Sequence, residues 1–250
     1  MIFAKSQPPA GADQESPAIP GGLRVYAVGD IHGRDDLLDI LARGVEADLA
    51  IAPPRVVTIF LGDYIDRGLG SAQVLERLRR GDFPTELIAL RGNHEQALLD
   101  AFNDPKAFAF WRKFGGLETL ASYGVDIAEL RLGRGVESVR EAMREKIPAA
   151  HVAFLESLPL SHEIGDFFFC HAGVKPGRPL ARQVGADLMW IRDEFLRSGK
   201  FHGKVIVHGH TPIEEPQFLP NRINLDTGAY QTGRLTCLVL EGRERRLLGA

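Results

Sequence analysis

Residues 62–68 read Gly-Asp-Tyr-Ile-Asp-Arg-Gly, and this stretch decides how the rest of the chain is interpreted. It directly follows residues 56–61, Val-Val-Thr-Ile-Phe-Leu, a nearly continuous apolar run typical of a strand that is buried on both faces. Asp63 therefore lies where a core strand reaches a surface loop, with Asp66 and Arg67 close behind it. Because unpaired charge beside a buried strand end is costly, this placement indicates a use for these side chains.

Four further apolar runs end in the same way. They lead into the polar, glycine-containing loops Gly29-Asp30-Ile31-His32-Gly33, Arg91-Gly92-Asn93-His94-Glu95, His171-Ala172-Gly173 and His208-Gly209-His210-Thr211-Pro212. Ligands of open α/β sheets bind outside the carboxyl ends of the strands. We therefore expect all five loops to meet at one site.

The composition is that of an ordinary globular protein. Of the 250 residues 44% are hydrophobic and 25% are charged, and the net charge of -3 gives no sign of a nucleic-acid or membrane partner. Cys170 and Cys237 are the two cysteines, which excludes a disulfide framework and suits a reducing compartment. No run is long enough to span a membrane and no secretory signal is recognisable, so we expect a cytoplasmic protein. The oligomeric state is not indicated.

Strand and helix patterns alternate in the first part of the chain. Helices are expected from Asp35 onwards, over residues 72–80 with Ser71 as N-cap, and over residues 95–102. This alternation predicts a layered, largely parallel α/β arrangement.

The two ends of this pattern set the predicted domain organisation. Residues 1–22 are rich in Pro, Ala, Gly, Gln and Ser, which predicts a flexible tail and leaves residues 23–250 as a single domain. Residues 106–160 contain no strand-like run that ends on a polar side chain. We interpret them as a helical insertion that shapes access to the site.

The side chains in the five loops suit a pair of metal ions. Carboxylate and amide oxygens with imidazole nitrogens, and no thiolates, favour Mn, Fe, Zn, Ni or Co. Two metals need a shared ligand, and Asp63 at the central strand end is the natural bridge. Asp30 and His32 would point to the same side of an extended segment and could hold one ion together. The other ion would be completed by Asn93, His171 and His210.

The motifs Gly-Asp-x-His-Gly, Gly-Asp-x-x-Asp-Arg-Gly and Gly-Asn-His-Glu, followed by later histidine motifs, resemble those of the calcineurin-like metallophosphoesterases. The Asp-Arg-Gly ending and Arg-Gly-Asn-His-Glu select the phosphoprotein phosphatase branch, which includes bacterial serine/threonine protein phosphatases and symmetrical diadenosine tetraphosphatases. The resemblance spans Leu23 to Leu240 and implies an α/β fold with a layered β-sandwich of mixed sheets flanked by helices. It also implies a hydrolase with two divalent metal ions, for which manganese is the first expectation.

Carried over to this sequence, the resemblance implies two overlapping sets of metal ligands. The first set is Asp30, His32 and Asp63, and the second is Asp63, Asn93, His171 and His210. Pro212 replaces the second histidine of the Gly-His-x-His ending found in much of the superfamily, which leaves the first metal with one histidine fewer. His208 could also lie near the metals if its segment is extended.

The same resemblance implies a proton donor. His94 would protonate the departing alkoxide, and Asp66 would orient its ring and favour its charged form. These residues have structural alternatives as well. His94 could be a polar core residue, and Asp30 or Asp63 could cap the helix that follows it.

Phosphate binding is implied for a further group of residues. Arg67 and Arg91 have the forked, permanently charged head that grips phosphate oxygens in pairs. Arg192 resembles a later phosphate-binding arginine of the family, although it could also be a surface ion-pair partner. Tyr230 would border the phosphate pocket, whereas Phe114 stands where the family often has Asn.

The sequence leaves three functions open. The first is hydrolysis of phosphoserine or phosphothreonine in proteins, and the second is hydrolysis of a nucleotide such as diadenosine tetraphosphate. A third is a catalytically silent module that keeps metal for structure, against which the complete ligand set and His94 argue. For the enzymes, the partner is a phosphoprotein or a phosphorylated small molecule, with no nucleic-acid polymer and no membrane.

Overall fold

A computed structural model describes residues 16–249 of the chain. The strands in this range are, in chain order, β1 (Leu23–Val28), β2 (Arg55–Phe60), β3 (Glu86–Ala89), β4 (Ser161–Ile164), β5 (Phe167–Cys170), β6 (Val205–His208), β7 (Gln217–Phe218), β8 (Arg222–Asn224), β9 (Thr236–Glu241) and β10 (Glu244–Gly249). The α-helices are α1 (Asp35–Asp48), α2 (Ser71–Arg80), α3 (Asn93–Asn103), α4 (Pro105–Trp111), α5 (Gly116–Ser122), α6 (Ala128–Arg131), α7 (Val136–Lys146), α8 (Ala149–Ser157), α9 (Gly185–Trp190), α10 (Asp193–Leu196) and α11 (Ala229–Thr232). Short 3-10 helices cover Leu49–Ile51, Arg112–Phe114 and Leu180–Arg182.

The strands form two mixed sheets of five strands each. The first has the order β10-β9-β1-β2-β3, and its members β1, β2 and β3 are parallel. The second has the order β4-β5-β6-β8-β7, and its members β5, β6 and β8 are parallel. The antiparallel strands β9 and β10 form one edge of the first sheet, and the parallel strand β3 forms the other. Both edges of the second sheet are antiparallel strands, β4 and β7.

Alternation along β1 shows how the first sheet is layered. Val25 and Ala27 pack into the apolar cluster shared with the second sheet. Tyr26 and Val28 point the other way, into the cluster that contains the apolar stripe of α1. Successive strand side chains point to opposite faces, so a strand that is apolar throughout serves two cores at once.

The second sheet has the same design. Phe167 and Phe169 of β5 join the cluster between the sheets, whereas Phe168 packs against Leu188 of α9 and Phe195 of α10. The result is a β-sandwich of mixed sheets with helices on both outer faces. The predicted fold class is confirmed.

Helices α4 to α8 occupy the segment expected to be a helical insertion, and no strand lies between Pro105 and Ser157. Their apolar side chains, among them Phe108, Trp111 and Leu155, are buried in the same cluster as α1. The segment is therefore integrated into the helical layer of the first sheet.

Several local features differ from the sequence-based expectations. Within the predicted tail, whose residues 1–15 lie outside the described part of the chain, Ile19 is buried and its backbone N–H donates to Gly242. Ala18 pairs with Asp166 through the backbone and side chain, so residues just before β1 pack on the domain. Ser71 is the first residue of α2 and not its N-cap. Its hydroxyl accepts the backbone N–H of Asp66, in the loop between β2 and α2.

The topology directs the loops of interest to one edge. The carboxyl ends of β1, β2 and β3 point the same way because these strands are parallel, and the same holds for β5 and β6. Among residues 16–249 there is no helix with the length and apolar character that a membrane crossing requires.

Candidate metal centre

Strained backbone marks the site. Five non-glycine residues between positions 16 and 249 have positive φ angles, and all five were expected in the site: His32 (46°), Asp63 (56°), Asp66 (72°), Arg67 (71°) and His210 (68°). Such conformations are unfavourable for residues with a side chain and persist where the surroundings enforce them, often at functional sites. The loops are therefore sharp turns, not the extended segments assumed for residues 30–32 and 208–210.

The Asp63 carboxylate stands at the centre of these loops. Its Oδ1 lies 3.3 Å from Nε2 of His171, and its Oδ2 lies 3.6 Å from Nε2 of His32 and 3.8 Å from Nε2 of His94. Two groups could each hold a metal ion, namely His32, Asp63 and His94, and Asp63, His171 and His210. Asp63 is common to both, with one oxygen facing each group.

Lone pairs crowd around His171 on the Oδ1 side. Its Nδ1 donates to the carbonyl of Leu61 at 3.0 Å, which leaves Nε2 facing Oδ1 of Asn93 at 2.8 Å and Nδ1 of His210 at 3.1 Å. Burial opposes a charge on this imidazole, but Asp63 outweighs burial and raises the pKa of His171 to about 9. Without a metal, a proton on His171 relieves the repulsion.

This donor set fits a divalent cation. Burial lowers the pKa of His210 to about 2, so its ring is neutral, and its buried Nε2 has no hydrogen-bond partner. Neutral imidazoles with carboxylate and amide oxygens are the ligands of borderline divalent ions. A cation would satisfy lone pairs that otherwise face one another.

On the Oδ2 side the nitrogen atoms face an arginine. Nδ1 of His32 donates to the carbonyl of Ile65 at 2.8 Å, and burial lowers the pKa of this histidine to about 3. Its Nε2 is therefore an acceptor, and Nη1 of Arg67 lies 3.0 Å away. Nη2 of Arg67 lies 3.3 Å from Nε2 of His94, and the guanidinium also covers the ring of Tyr230 at 4.7 Å.

Asp30 is buried beside His210, a member of the second of the two groups. Both of its carboxylate oxygens accept the backbone N–H of His210, at 3.1 and 3.2 Å. Burial and then the charge of Asp226 raise the pKa of Asp30 well above its usual range. Neither of the two metal-capable groups includes Asp30.

His94 and Asp66 form a closed pair. Nδ1 of His94 lies 2.6 Å from Oδ2 of Asp66, whose side chain is fully buried. Burial acts to lower the pKa of His94, but the charge of Asp63 and the hydrogen bond with Asp66 raise it above its ordinary value. The ring can therefore carry a proton on the nitrogen that faces the site.

A sequence model of the family described as calcineurin-like phosphoesterase matches residues 23–237. The chain belongs to the calcineurin-like phosphoesterase family. It is accordingly a metallophosphoesterase, and divalent metals in a dinuclear centre are a property of that family.

Relatives of this phosphoesterase carry the name bis(5'-nucleosyl)-tetraphosphatase PrpE, asymmetrical. The protein from Bacillus cereus (strain Q1) is 27% identical over 246 residues, which cover 86% of this chain and 90% of the relative. The protein from Anoxybacillus flavithermus is 26% identical over 239 residues, with 84% and 88% covered.

Solved structures show the shared fold. A candidate diadenosine tetraphosphatase is 21% identical, with a TM-score of 0.62 over 94% of this chain and 99% of that chain. A protein-tyrosine phosphatase from Shewanella has a TM-score of 0.56 at 17% identity, with 97% and 87% covered. A serine/threonine phosphatase from Saccharomyces cerevisiae has a TM-score of 0.54 at 16% identity, with 91% and 79% covered.

Glu95 organises the loops of this phosphoesterase, a role that the sequence reading did not assign. Its carboxylate accepts the backbone N–H groups of Gly92 at 2.9 Å and of Asp63 and Tyr64 at 2.8 Å each. It thereby ties the β2 loop to the start of α3. Burial and the charge of Asp63 raise its pKa to about 7. The signal was present, because a Glu three residues after a helix cap is typical of a capping box.

Two more residues missed from the sequence are Trp111 and Thr119, which contact Asp66. Nε1 of Trp111 donates to Oδ2 at 2.9 Å, and the Thr119 hydroxyl donates to Oδ1 at 2.7 Å. Both come from the helical segment. No local pattern in that segment distinguishes them from ordinary core residues.

The remaining predicted phosphate-binding residues surround the centre unequally. Tyr230 borders it, with its ring 5.4 Å from that of His32. Arg192 is exposed, and its charge acts on His210. Arg91 is partly buried and spans two helices, donating to Gln96 at 3.1 Å and to the carbonyl of Glu156 at 2.6 Å.

His208 points away from both metal-capable groups. Its ring packs 5.1 Å from that of Phe195, and its Nε2 lies 3.5 Å from Nη1 of Arg222. His208 is the last residue of β6, whereas His210 follows in a left-handed turn. The two histidines therefore do not share one side, contrary to what an extended segment would give.

Proposed function

We propose that this metallophosphoesterase hydrolyses phosphate monoesters that have an alkoxide leaving group, as phosphoserine and phosphothreonine in proteins do. The His94–Asp66 pair is the observation that supports this best. An alkoxide is a poor leaving group and needs a proton as the P–O bond breaks. A buried carboxylate 2.6 Å from Nδ1 leaves Nε2 of His94 directed at the centre.

The metal ligands we propose are Asp30, His32 and Asp63 for one ion, and Asp63, Asn93, His171 and His210 for the other. When bound, two divalent ions would acidify water near neutral pH and offset the charge of the phosphate. Manganese is the ion we expect, with Fe, Zn, Ni and Co as the alternatives to be compared. The protein itself supplies rigid ligands, since Asp63 and His210 are held in turns closed by Glu95 and Asp30.

Arg67 has the geometry of a phosphate clamp. Its two terminal nitrogens lie beside His32 and His94, so phosphate oxygens brought to the centre would meet both. Tyr230 supports the guanidinium from its other face. Arg192 would approach from the exposed rim, and Arg91 would act by joining α3 to α8 unless substrate draws it inward.

Removal of His94 tests this proposal. We expect His94→Ala to lower kcat/KM for a phosphoserine peptide by about 10²-fold or more, and to affect p-nitrophenyl phosphate far less, because that leaving group hardly needs a proton. His162 is a histidine on β4 outside the site, so His162→Ala is the matched control. It should leave kcat/KM unchanged for both substrates. Equal losses on both substrates would remove His94 from the proton-donor role.

A second candidate substrate is a dinucleoside tetraphosphate. The names of the relatives favour it. So does Trp190, a residue that is 41% exposed and whose ring lies 6.4 Å from that of His210. An exposed aromatic ring is a suitable surface for a nucleobase. Values of kcat/KM for diadenosine tetraphosphate and phosphopeptides, measured side by side, would decide between the two.

The products would refine this second candidate. Symmetrical cleavage releases two molecules of ADP, whereas asymmetrical cleavage releases ATP and AMP. A clear preference for the dinucleotide, together with a raised KM for it in Trp190→Ala, would replace the phosphoprotein proposal. A purified protein that binds manganese and turns over neither substrate class would support the silent metal-binding module.

A further inference from the structure

We infer that Trp111 and Thr119 are positioning residues for proton transfer, which makes the helical segment part of the catalytic apparatus. They hold the Asp66 carboxylate in the one orientation that orients His94. The inference rests on the proposed function, because it concerns the proton donor named there.

Trp111 binds the same oxygen of Asp66 that contacts His94. Its Nε1–H donates to Oδ2 of Asp66 at 2.9 Å, and the same oxygen lies 2.6 Å from Nδ1 of His94. All three side chains are buried, so water does not compete for this oxygen. Two donors from different directions fix its position, and a hydrogen bond to a buried carboxylate is stronger than one between neutral groups.

Thr119 binds the other carboxylate oxygen of Asp66 and also its backbone. Its hydroxyl donates to Oδ1 of Asp66 at 2.7 Å and accepts the Asp66 backbone N–H at 2.9 Å. That backbone is in the left-handed conformation, with φ of 72°. A single hydroxyl thus stabilises both the strained backbone and the carboxylate rotamer. With Thr119 and Trp111 in place, neither oxygen of Asp66 is free to rotate away from His94.

The turn between α4 and α5 lets both side chains reach Asp66. A Cβ atom on Gly116 would lie 2.6 Å from Cδ2 of Trp111, so only glycine allows α5 to start directly against the indole ring. Gly115 accepts the backbone N–H of Arg67 at 3.2 Å, which joins this turn to the β2 loop. The segment therefore contacts the β2 loop through three residues, namely Trp111, Gly115 and Thr119.

A purely structural role is the alternative, since the Trp111 ring also packs on Phe108 with centroids 6.1 Å apart. The leaving group of the substrate separates the two roles. Loss of core packing would lower activity on every substrate to the same extent, or would lower the stability of the protein without changing its activity. Misorientation of His94 would penalise the substrate whose leaving group needs a proton.

The test uses variants that keep an apolar side chain in place and remove the hydrogen bonds to Asp66. We expect Trp111→Phe and Thr119→Val each to lower kcat for a phosphoserine peptide by about tenfold, with KM within about twofold of the parent. For p-nitrophenyl phosphate the loss should stay below about threefold. Thr119→Ser keeps the hydroxyl and should restore the parent value. Phe108→Leu, which loosens the same core without touching Asp66, should show no difference between the substrates.

A double-mutant cycle completes the test. In a His94→Ala background Trp111→Phe should cause no further loss on the peptide, because residues that act through one group are not additive. Equal losses on both substrates, additive losses in the cycle, or failure of Thr119→Ser to recover activity would overturn the inference. If His94→Ala is itself unselective, the proposed function fails. If His94→Ala is selective and the two positioning variants are not, only this inference fails.

Discussion

Two regions build the site in different ways. The loops at the strand ends supply the atoms that face the centre, including Asp63, Asn93 and His171, and each could be named from a short motif. The helical segment from Pro105 to Ser157 supplies Trp111 and Thr119, which stand one layer behind the centre. The contrast shows that the placement of the candidate metal ligands follows from topology, because parallel strands end at one edge. The orientation of the Asp66 carboxylate depends on a region with no motif of its own.

Replacement of Asp63 should have the largest effect and tests the strand-end half of the comparison. Asp63→Asn removes the charge shared by both metal-capable groups, and we expect kcat to fall by about 10³-fold or more, with loss of bound manganese. Steady-state kinetics and metal analysis of the purified protein measure this. Asp39→Asn, an exposed aspartate ion-paired on α1, is the control. Full metal content with normal turnover would contradict a bridging role.

Asp66 connects the two regions, so its replacement should come next. In Asp66→Asn an amide NH₂ must face at least one of the donors on Trp111, Thr119 or His94. We expect kcat for a phosphoserine peptide to fall by about 10²-fold, with metal content retained. Kinetics on the peptide and on p-nitrophenyl phosphate, together with metal analysis, measure this. Loss of metal would instead place Asp66 with the ligands and remove the distinction between the regions.

Close packing of the loops gives a third prediction. A Cβ on Gly92 would press on the Asp63 carboxylate and lie 2.8 Å from Oε2 of Glu95. Overpacking of this kind should lower the free energy of unfolding of Gly92→Ala by about 2 kcal/mol. Denaturant unfolding of the metal-free protein measures this directly.

The control for this prediction is Gly44→Ala. A Cβ on Gly44 of α1 would meet only Leu248 at an ordinary 3.7 Å, so the change should stabilise the protein by up to about 1 kcal/mol. If both variants have the same stability, the strand-end loops are less tightly packed than the distances indicate.

The smallest effect we expect is a pH dependence of the affinity for metal. His171 of the metal-free protein has a pKa of about 9, so near pH 7 it carries a proton that must leave before a metal can bind. We expect the affinity for Mn²⁺ to rise about tenfold per pH unit up to about pH 9 and to level off above it. Calorimetry in buffers of different ionisation enthalpy would measure the proton release. An affinity that does not change between pH 7 and pH 9 would contradict the crowding of lone pairs around His171.

Most of the fold could be predicted because it depends on periodicity. Apolar runs identified the principal parallel strands, and apolar stripes identified the main helices of the first sheet. The strands β4, β7 and β10 were not predicted. β4 is four residues long and largely polar, β7 has only two residues, and β10 begins with three charged residues. The packing of Ile19 was missed because a single apolar residue gives no periodic signal.

The site could be predicted in part. In the structure Asp63, Asn93, His171 and His210 lie together, whereas His208, which from the sequence could also lie near the metals, packs on Phe195. The sequence-based expectation for His208 applied only to an extended segment, and the chain turns sharply at His210.

The amino-acid sequence by itself determined the strand-end loops, the kinds of donor atoms in them and the phosphoesterase family. These are local properties, set by spacing over a few residues. Tertiary structure alone decided which oxygen of Asp63 faces which group, where His208 points, and that Asp66 is held by side chains 45 and 53 residues further along the chain. Such contacts depend on backbone turns and on packing between distant segments, and neither leaves a periodic trace in the sequence.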